Sequence, residues 1–131
     1  VTNDESLETI RRVFSETGYL LDPHTSVAWE TAVRHRRELP ILIASTAHWA
    51  KFGIDVYKAL NGIRYHDVLP PHAAGMSGLD LLDEVSRMTG GLSIPRNLSE
   101  LRQLPARFTH VVDATAAGAR GALREWLSSR A

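Results

Sequence analysis

The sequence predicts an α/β protein that is mostly helix, with one strong strand of the parallel type near residues 40–45. Three observations predict it. Helix start and stop signals recur from one end of the chain to the other. Ile41-Leu42-Ile43-Ala44 is continuously apolar instead of alternating, as in a strand covered on both faces. At 131 residues, with 44% hydrophobic and 23% charged side chains, the chain has ordinary globular usage, which excludes disorder, collagen and coiled coil.

Thr2-Asn3-Asp4-Glu5 fits a capping box, and Leu7, Ile10, Val13 and Phe14 recur at spacings of three and four before Gly18; a first helix is expected near 4–17. Asp22-Pro23 is a second start, an acidic N-cap followed by proline at the first helical position. That helix is expected to reach about Glu38, before Pro40, and to bury Val27, Ala28, Thr31, Ala32 and His35. After the strand, Phe52, Val56 and Leu60 mark a third helix that Gly62 ends. Residues 63–78 hold Pro70, Pro71, Gly75 and Gly78 without a sustained period and read as an ordered excursion. Leu79, Leu82, Val85 and Met88 mark a helix ending at Gly90-Gly91, and Asn97 to Glu100 cap a short one. A last helix over 115–129 is expected to turn Leu123, Trp126 and Leu127 inward, with Phe108 to Ala114 a short strand or an irregular approach to it.

One strong strand and one weak one cannot build a parallel sheet buried on both sides, because each parallel strand needs neighbours and crossover helices. The sequence therefore reads as part of a larger α/β unit, or else as a mostly helical domain with a small sheet. An apolar strand stripped of neighbours is expected to self-associate or to be covered by the 63–78 segment.

Composition narrows the function. Fifteen Lys and Arg balance fifteen Asp and Glu, so no net positive field favours nucleic acid or an anionic membrane. Cysteine is absent, which removes disulfides, thiolate metal sites and cysteine nucleophiles. No apolar run approaches a membrane span, and the polar N-terminus is unlike a signal peptide, so a cytoplasmic location is expected. The first residue is Val1, which suggests a processed product or an excised piece.

Two clusters could carry chemistry. In Gly18-Tyr19-Leu20-Leu21-Asp22-Pro23-His24-Thr25, capping explains Gly18, Asp22 and Pro23, but leaves His24 and Thr25 in a first helical turn that favours an anion or polar neighbour. Ser45-Thr46-Ala47-His48 follows the carboxyl end of the expected strand, where ligands gather in open α/β sheets. A hydroxyl there can pair with a ring nitrogen of an aromatic cofactor or cap the next helix; the residues alone leave both open. Lys51 lacks the desolvation or cationic neighbour that a Schiff-base lysine needs. The six histidines show no metal-ligand spacing, so no metal is expected, and no Gly-rich phosphate loop is present.

Together, GYLLDPHTSVA and, some twenty residues on, STAHWAKF resemble the C-terminal part of threonine synthase, whose sequences commonly read GYxxDPHTAVA and then TAHPAKF. The resemblance covers residues 1 to about 62 closely and Pro95 to Pro105 more loosely, and Trp49 stands where the family usually has proline. It implies a pyridoxal-phosphate enzyme of the tryptophan-synthase-β-like fold (fold type II) that converts O-phosphohomoserine and water to threonine and phosphate. Thr46 matches the position that offers its hydroxyl to the cofactor's pyridine nitrogen. A neutral partner leaves that nitrogen largely unprotonated, which suits β,γ-elimination. His48 and Lys51 match motif positions to which the resemblance gives no definite role. With Ser45, His24 and Thr25 they are the remaining candidates for the site loop or the substrate side.

Nothing matches the family's catalytic lysine segment or its phosphate loop, so no catalytic residue is expected in this chain, which alone should be inactive. The resemblance thus implies one C-terminal domain over 1–131: a helix-helix-strand-helix core at 1–62, a family-variable excursion at 63–91 and C-terminal helices at 92–131. Its partner would be the N-terminal remainder of the enzyme. The other reading is a free-standing, non-catalytic binding or interaction module of the same fold.

Overall fold

Local signals near the N-terminus become helices as expected. In the computed structural model, which describes residues 1–36, 38–105, 107 and 109–129, α1 spans Asn3–Thr17. Its capping box is complete: the Thr2 N–H donates to Glu5 Oε2 (2.6 Å) and the Glu5 N–H to Thr2 Oγ1 (3.2 Å). That backbone bond, with the Arg34 guanidinium beside it, lowers the Glu5 carboxyl to about 2. Gly18 closes α1 at φ 73°, a left-handed conformation that glycine adopts without a Cβ penalty.

Helix α2 (Pro23–Arg34) lies against α1, followed by a 3₁₀ turn at Trp49–Lys51, α3 (Gly53–Leu60), α4 (Gly78–Met88), α5 (Arg96–Ser99), a second 3₁₀ turn at Glu100–Gln103 and α6 (Ala116–Ser128). Helix α1 packs on α2 and α3, and α3 packs on α4. The core runs through Leu7, Ile10 and Val13 of α1, Val56 and Tyr57 of α3, and Leu81, Leu82 and Val85 of α4. Each such aliphatic side chain contributes about 1.5–3 kcal/mol by leaving water. Where α3 meets α4, Gly53 is so close that a Cβ on it would lie 2.9 Å from Leu82 Cδ2 and 3.1 Å from the Gly78 carbonyl oxygen.

The contact between α1 and α2 is polar. Ser6 Oγ and Ser26 Oγ are 2.6 Å apart and buried. Thr9 donates to Glu30 (3.2 Å), which also takes Arg12 (3.0 Å) and Arg34 (3.0 Å). The buried face of α2 is thus Thr25 and Ser26, with Trp29 and Glu30 half-buried, while Val27, Ala28, Thr31 and His35, expected inside, face outward. The helix also ends at Arg34, short of the expected Glu38.

The expected strand is overturned. No strand or sheet occurs among the described residues, so the fold is helical where α/β was expected. Ile41-Leu42-Ile43-Ala44 runs over the surface, with Leu42 98% exposed and Ile41 49%. A parallel strand holds its conformation only through ladder bonds to neighbours, and the described residues offer none. The 63–78 segment does not cover it. That segment is instead fixed to α1 and α3: Asp4 accepts from the Tyr65 N–H (2.8 Å) and from Arg64 (3.0 Å), Tyr57 Oη meets His72 Nε2 at 3.0 Å, and Ala73 is buried.

The last helix forms at nearly the expected residues, but Leu123, Trp126 and Leu127, expected inward, are about half exposed. An amphipathic stripe turns inward only where another element offers a surface to it. Residues 109–114 are irregular, and Phe108, part of the expected approach, lies outside the described residues. The apolar side of α2 and the 39–43 run border a groove of about 500 Å³ lined by Trp29, Ala32, Val33, Leu39, Ile41 and Ile43 among others. No helix among the described residues is long and apolar enough to cross a membrane.

Candidate functional site

The site begins with a buried carboxylate. Leu20 and Leu21 are buried, pulling the α1–α2 connection inward, and this places Asp22 as the N-cap of α2 with its side chain wholly shielded from solvent. Asp22 Oδ1 accepts from the His24 N–H (2.9 Å) and the Thr25 N–H (3.4 Å), and Oδ2 accepts from the Thr25 hydroxyl. Buried charge is tolerated where several donors meet it, and this one has them. Pro23 fixes the first helical residue, as the capping reading expected.

From that cap the two sequence clusters meet. Thr25 Oγ1 lies 3.2 Å from Ser45 Oγ across twenty residues, and Ser45 Oγ is also 3.3 Å from the Ala47 carbonyl oxygen. Beyond Ala47, His48 caps the 3₁₀ turn by accepting the Ala50 N–H at Nδ1 (3.2 Å), and Trp49 and Ala50 are buried. The 45–48 loop is therefore held at one end by Thr25 and at the other by the Trp49 anchor. Thr46, between them, is exposed and makes no hydrogen bond among the described residues.

Of the remaining candidates, His24 is mostly exposed, with Nδ1 3.3 Å from Asp22 Oδ1 and its ring centroid 5.0 Å from that of Phe52. Lys51 is exposed, and its ammonium has no partner among the described residues. The structure brings Asp22, His24, Thr25, Ser45 and His48 into one neighbourhood. A pocket of about 210 Å³ opens there, lined by Tyr19, Asp22, Ser45, Ala47, His48 and Trp49 among others. Its wall presents hydroxyls and imidazole, groups that orient a polar ligand by hydrogen bonds. Among the described residues no group of three or more His, Cys, Asp or Glu could hold a metal.

Sequence reasoning missed two parts of this arrangement. Asp22 does more than cap its helix, since the same carboxylate fixes the Thr25 side chain; its very low hydropathy directly after two buried leucines is the signal that could have pointed there. Phe52, read only as a helix residue, is the surface on which His24 rests. No sequence signal marks that contact.

Residues 25–89 match the family model described as threonine synthase, C-terminal. The chain is 36% identical over 104 residues to the threonine synthase of Pseudomonas aeruginosa, an alignment covering 78% of this chain and 20% of that protein. It is 37% identical over 86 residues to threonine synthase-like 1 of Mus musculus (53% and 11% covered) and 36% over 66 residues to the threonine synthase of Schizosaccharomyces pombe (47% and 13%). It thus spans a fifth or less of the length of these relatives. No solved structure matches it. The motif-bearing residues that converge on the Asp22 cap lie in or beside the matched region, and the chain belongs to the threonine synthase family, as its C-terminal portion.

Proposed function

We propose that this chain forms, as a single unit over residues 1–131, one wall of the cofactor site of a cytoplasmic threonine synthase. The complete enzyme would be a carbon–oxygen lyase that uses pyridoxal 5'-phosphate to convert O-phosphohomoserine and water to threonine and phosphate. The observation that carries this reading is Thr46: an exposed hydroxyl with no partner among the described residues, on a loop held at both ends.

That side chain suits the cofactor's pyridine nitrogen. A hydroxyl can donate to an unprotonated ring nitrogen or accept from a protonated one, and here neither capacity is already used. When bound, pyridoxal phosphate supplies an electron sink. This chain's part is to orient the ring edge through Thr46 and to hold the loop through Ser45 and His48. His24 and Lys51, both exposed, are the groups suited to a phosphate-bearing substrate. The covalent lysine would come from the N-terminal remainder, which would also cover the groove between α2 and residues 39–43.

The test is Thr46→Val in the full-length enzyme. It removes one hydrogen bond of roughly 1 kcal/mol plus the penalty for an unpaired ring nitrogen, so turnover should fall at least about fivefold and the bound cofactor's absorption should change. Unchanged turnover with an unchanged spectrum would overturn the reading. The 131-residue chain mixed with pyridoxal phosphate should release no phosphate from O-phosphohomoserine.

A further inference from the structure

We propose that Thr25 is a positioning residue for the hydroxyl of Thr46: the buried Asp22 carboxylate fixes the Thr25 side chain, Thr25 fixes Ser45, and Ser45 fixes the residue that follows it. The inference deepens the reading of Thr46 as the partner of the cofactor ring and rests on it.

Counting protons shows how the chain of contacts is directed. The Thr25 and Ser45 hydroxyls carry one proton each, and the Asp22 carboxylate carries none to give. Thr25 commits its proton to Asp22 Oδ2, the strongest acceptor in reach. The contact between Thr25 and Ser45, at 3.2 Å, is then made by the Ser45 proton, with Thr25 Oγ1 as acceptor. Ser45 has a competing acceptor in the Ala47 carbonyl at 3.3 Å, within its own loop. The Thr25 oxygen is therefore what ties the loop to α2, and without it the Ser45 hydroxyl turns back on the loop itself. Thr25 is buried and does not line the pocket that Ser45 lines, so it acts on the site through Ser45.

The experiment uses Thr25→Val, Thr25→Ser and Ser45→Ala, the last cutting the same contact from the exposed side where the fold of α2 is not at risk. In the 131-residue chain, backbone ¹⁵N order parameters at Ser45, Thr46 and Ala47 should drop from about 0.85 to below about 0.6 in Thr25→Val and in Ser45→Ala, and stay high in Thr25→Ser. The double variant Thr25→Val with Ser45→Ala should be no looser than either single one, because both remove one contact. In the full-length enzyme, Thr25→Val should move the cofactor's absorption in the same direction as Thr46→Val and lower kcat about tenfold with KM within about twofold, and Thr25→Ser should restore kcat to within about threefold. Unchanged order parameters in both Thr25→Val and Ser45→Ala, or equal damage from Thr25→Ser, overturn the positioning role. If the loop loosens as expected but neither Thr46→Val nor Thr25→Val moves the cofactor's spectrum, the hold of Thr25 on the loop stands and the reading of Thr46 falls.

Discussion

Gly53 offers the sharpest test of how α3 meets α4. It is the first residue of α3, and a Cβ there would stand 2.9 Å from Leu82 Cδ2, 3.4 Å from Leu82 Cγ and 3.1 Å from the Gly78 carbonyl oxygen. Leu82 is only 3% exposed, and the carbonyl oxygen belongs to the backbone of the first residue of α4. Gly53→Ala must therefore push α4 away by a few tenths of an ångström or force Leu82 off its rotamer, an overpacking cost of about 1–3 kcal/mol. Replacing glycine by alanine at a helix start also gains a few tenths to about 1 kcal/mol from reduced freedom of the unfolded chain. Gly78 is the matched control, being the first residue of α4 with nothing within 4 Å of its own Cβ position. Gly78→Ala should be neutral or mildly stabilising, whereas Gly53→Ala should lower stability by about 1–2 kcal/mol net, or roughly 3–8 °C in Tm. Urea unfolding of the two variants, with the m-value checked for constancy, isolates the clash as their difference. Equal midpoints for the two would refute the tight crossing of α3 and α4.

The remaining predictions concern caps, anchors and the open surface. Glu5 titrates at about 2 because the Thr2 N–H and then Arg34 favour its charged form. Its stabilisation is complete above the ordinary carboxylate range and lost as the pH falls through that range toward 2; Glu5→Gln should narrow the gap in Tm between pH 7 and pH 2.5, and an unchanged gap would count against the capping box. Thr2→Ala should cost about 1 kcal/mol by chemical denaturation. Tyr57→Phe removes the bond to His72 and should cost about 1 kcal/mol while raising proteolytic nicking within 63–78; a variant as resistant as the parent would show that the anchor does nothing. Leu42→Asp, at a site 98% exposed, should leave the Tm of this chain within about 1 °C, and a large loss of Tm would mean that the 41–44 run is packed after all.

What the sequence made legible was local. The Thr2-to-Glu5 box, the Asp22-Pro23 start and the Gly18 stop depend on residues three or four apart, and each stands where the spacing put it. The capping box Ser77-to-Asp80 is equally local, yet it was hidden by the glycines and prolines around it. The run 41–44 was misread for a different reason. Its apolar pattern reports a need for cover and says nothing of where the cover comes from, and among the described residues none is supplied. Leu123, Trp126 and Leu127 repeat the lesson in a helix. On α2 the apolar residues pointed to the wrong face, because α1 binds it through Ser26 and Glu30, polar groups that a hydrophobic pattern does not register. The candidate residues of the site were legible as motif positions; the contact between Thr25 and Ser45 was not, since only the folded chain brings those hydroxyls together.

The paired serines between α1 and α2 have a consequence for how this sequence can change. Ser26 Oγ reaches the Pro23 carbonyl oxygen at 2.8 Å and Ser6 Oγ reaches it at 3.4 Å, so with one proton on each hydroxyl Ser26 donates to Pro23 and Ser6 donates to Ser26. The two positions are therefore unequal: Ser6→Ala leaves Ser26 still bonded to Pro23, whereas Ser26→Ala takes the near acceptor from Ser6 and the near donor from Pro23, at about 1–3 kcal/mol. A lineage can thus give up Ser6 more readily than Ser26. What the pair adds is less strength than address: it tells α2 at which point along α1 to stop, and Asp22, four residues before Ser26, takes its place from that instruction.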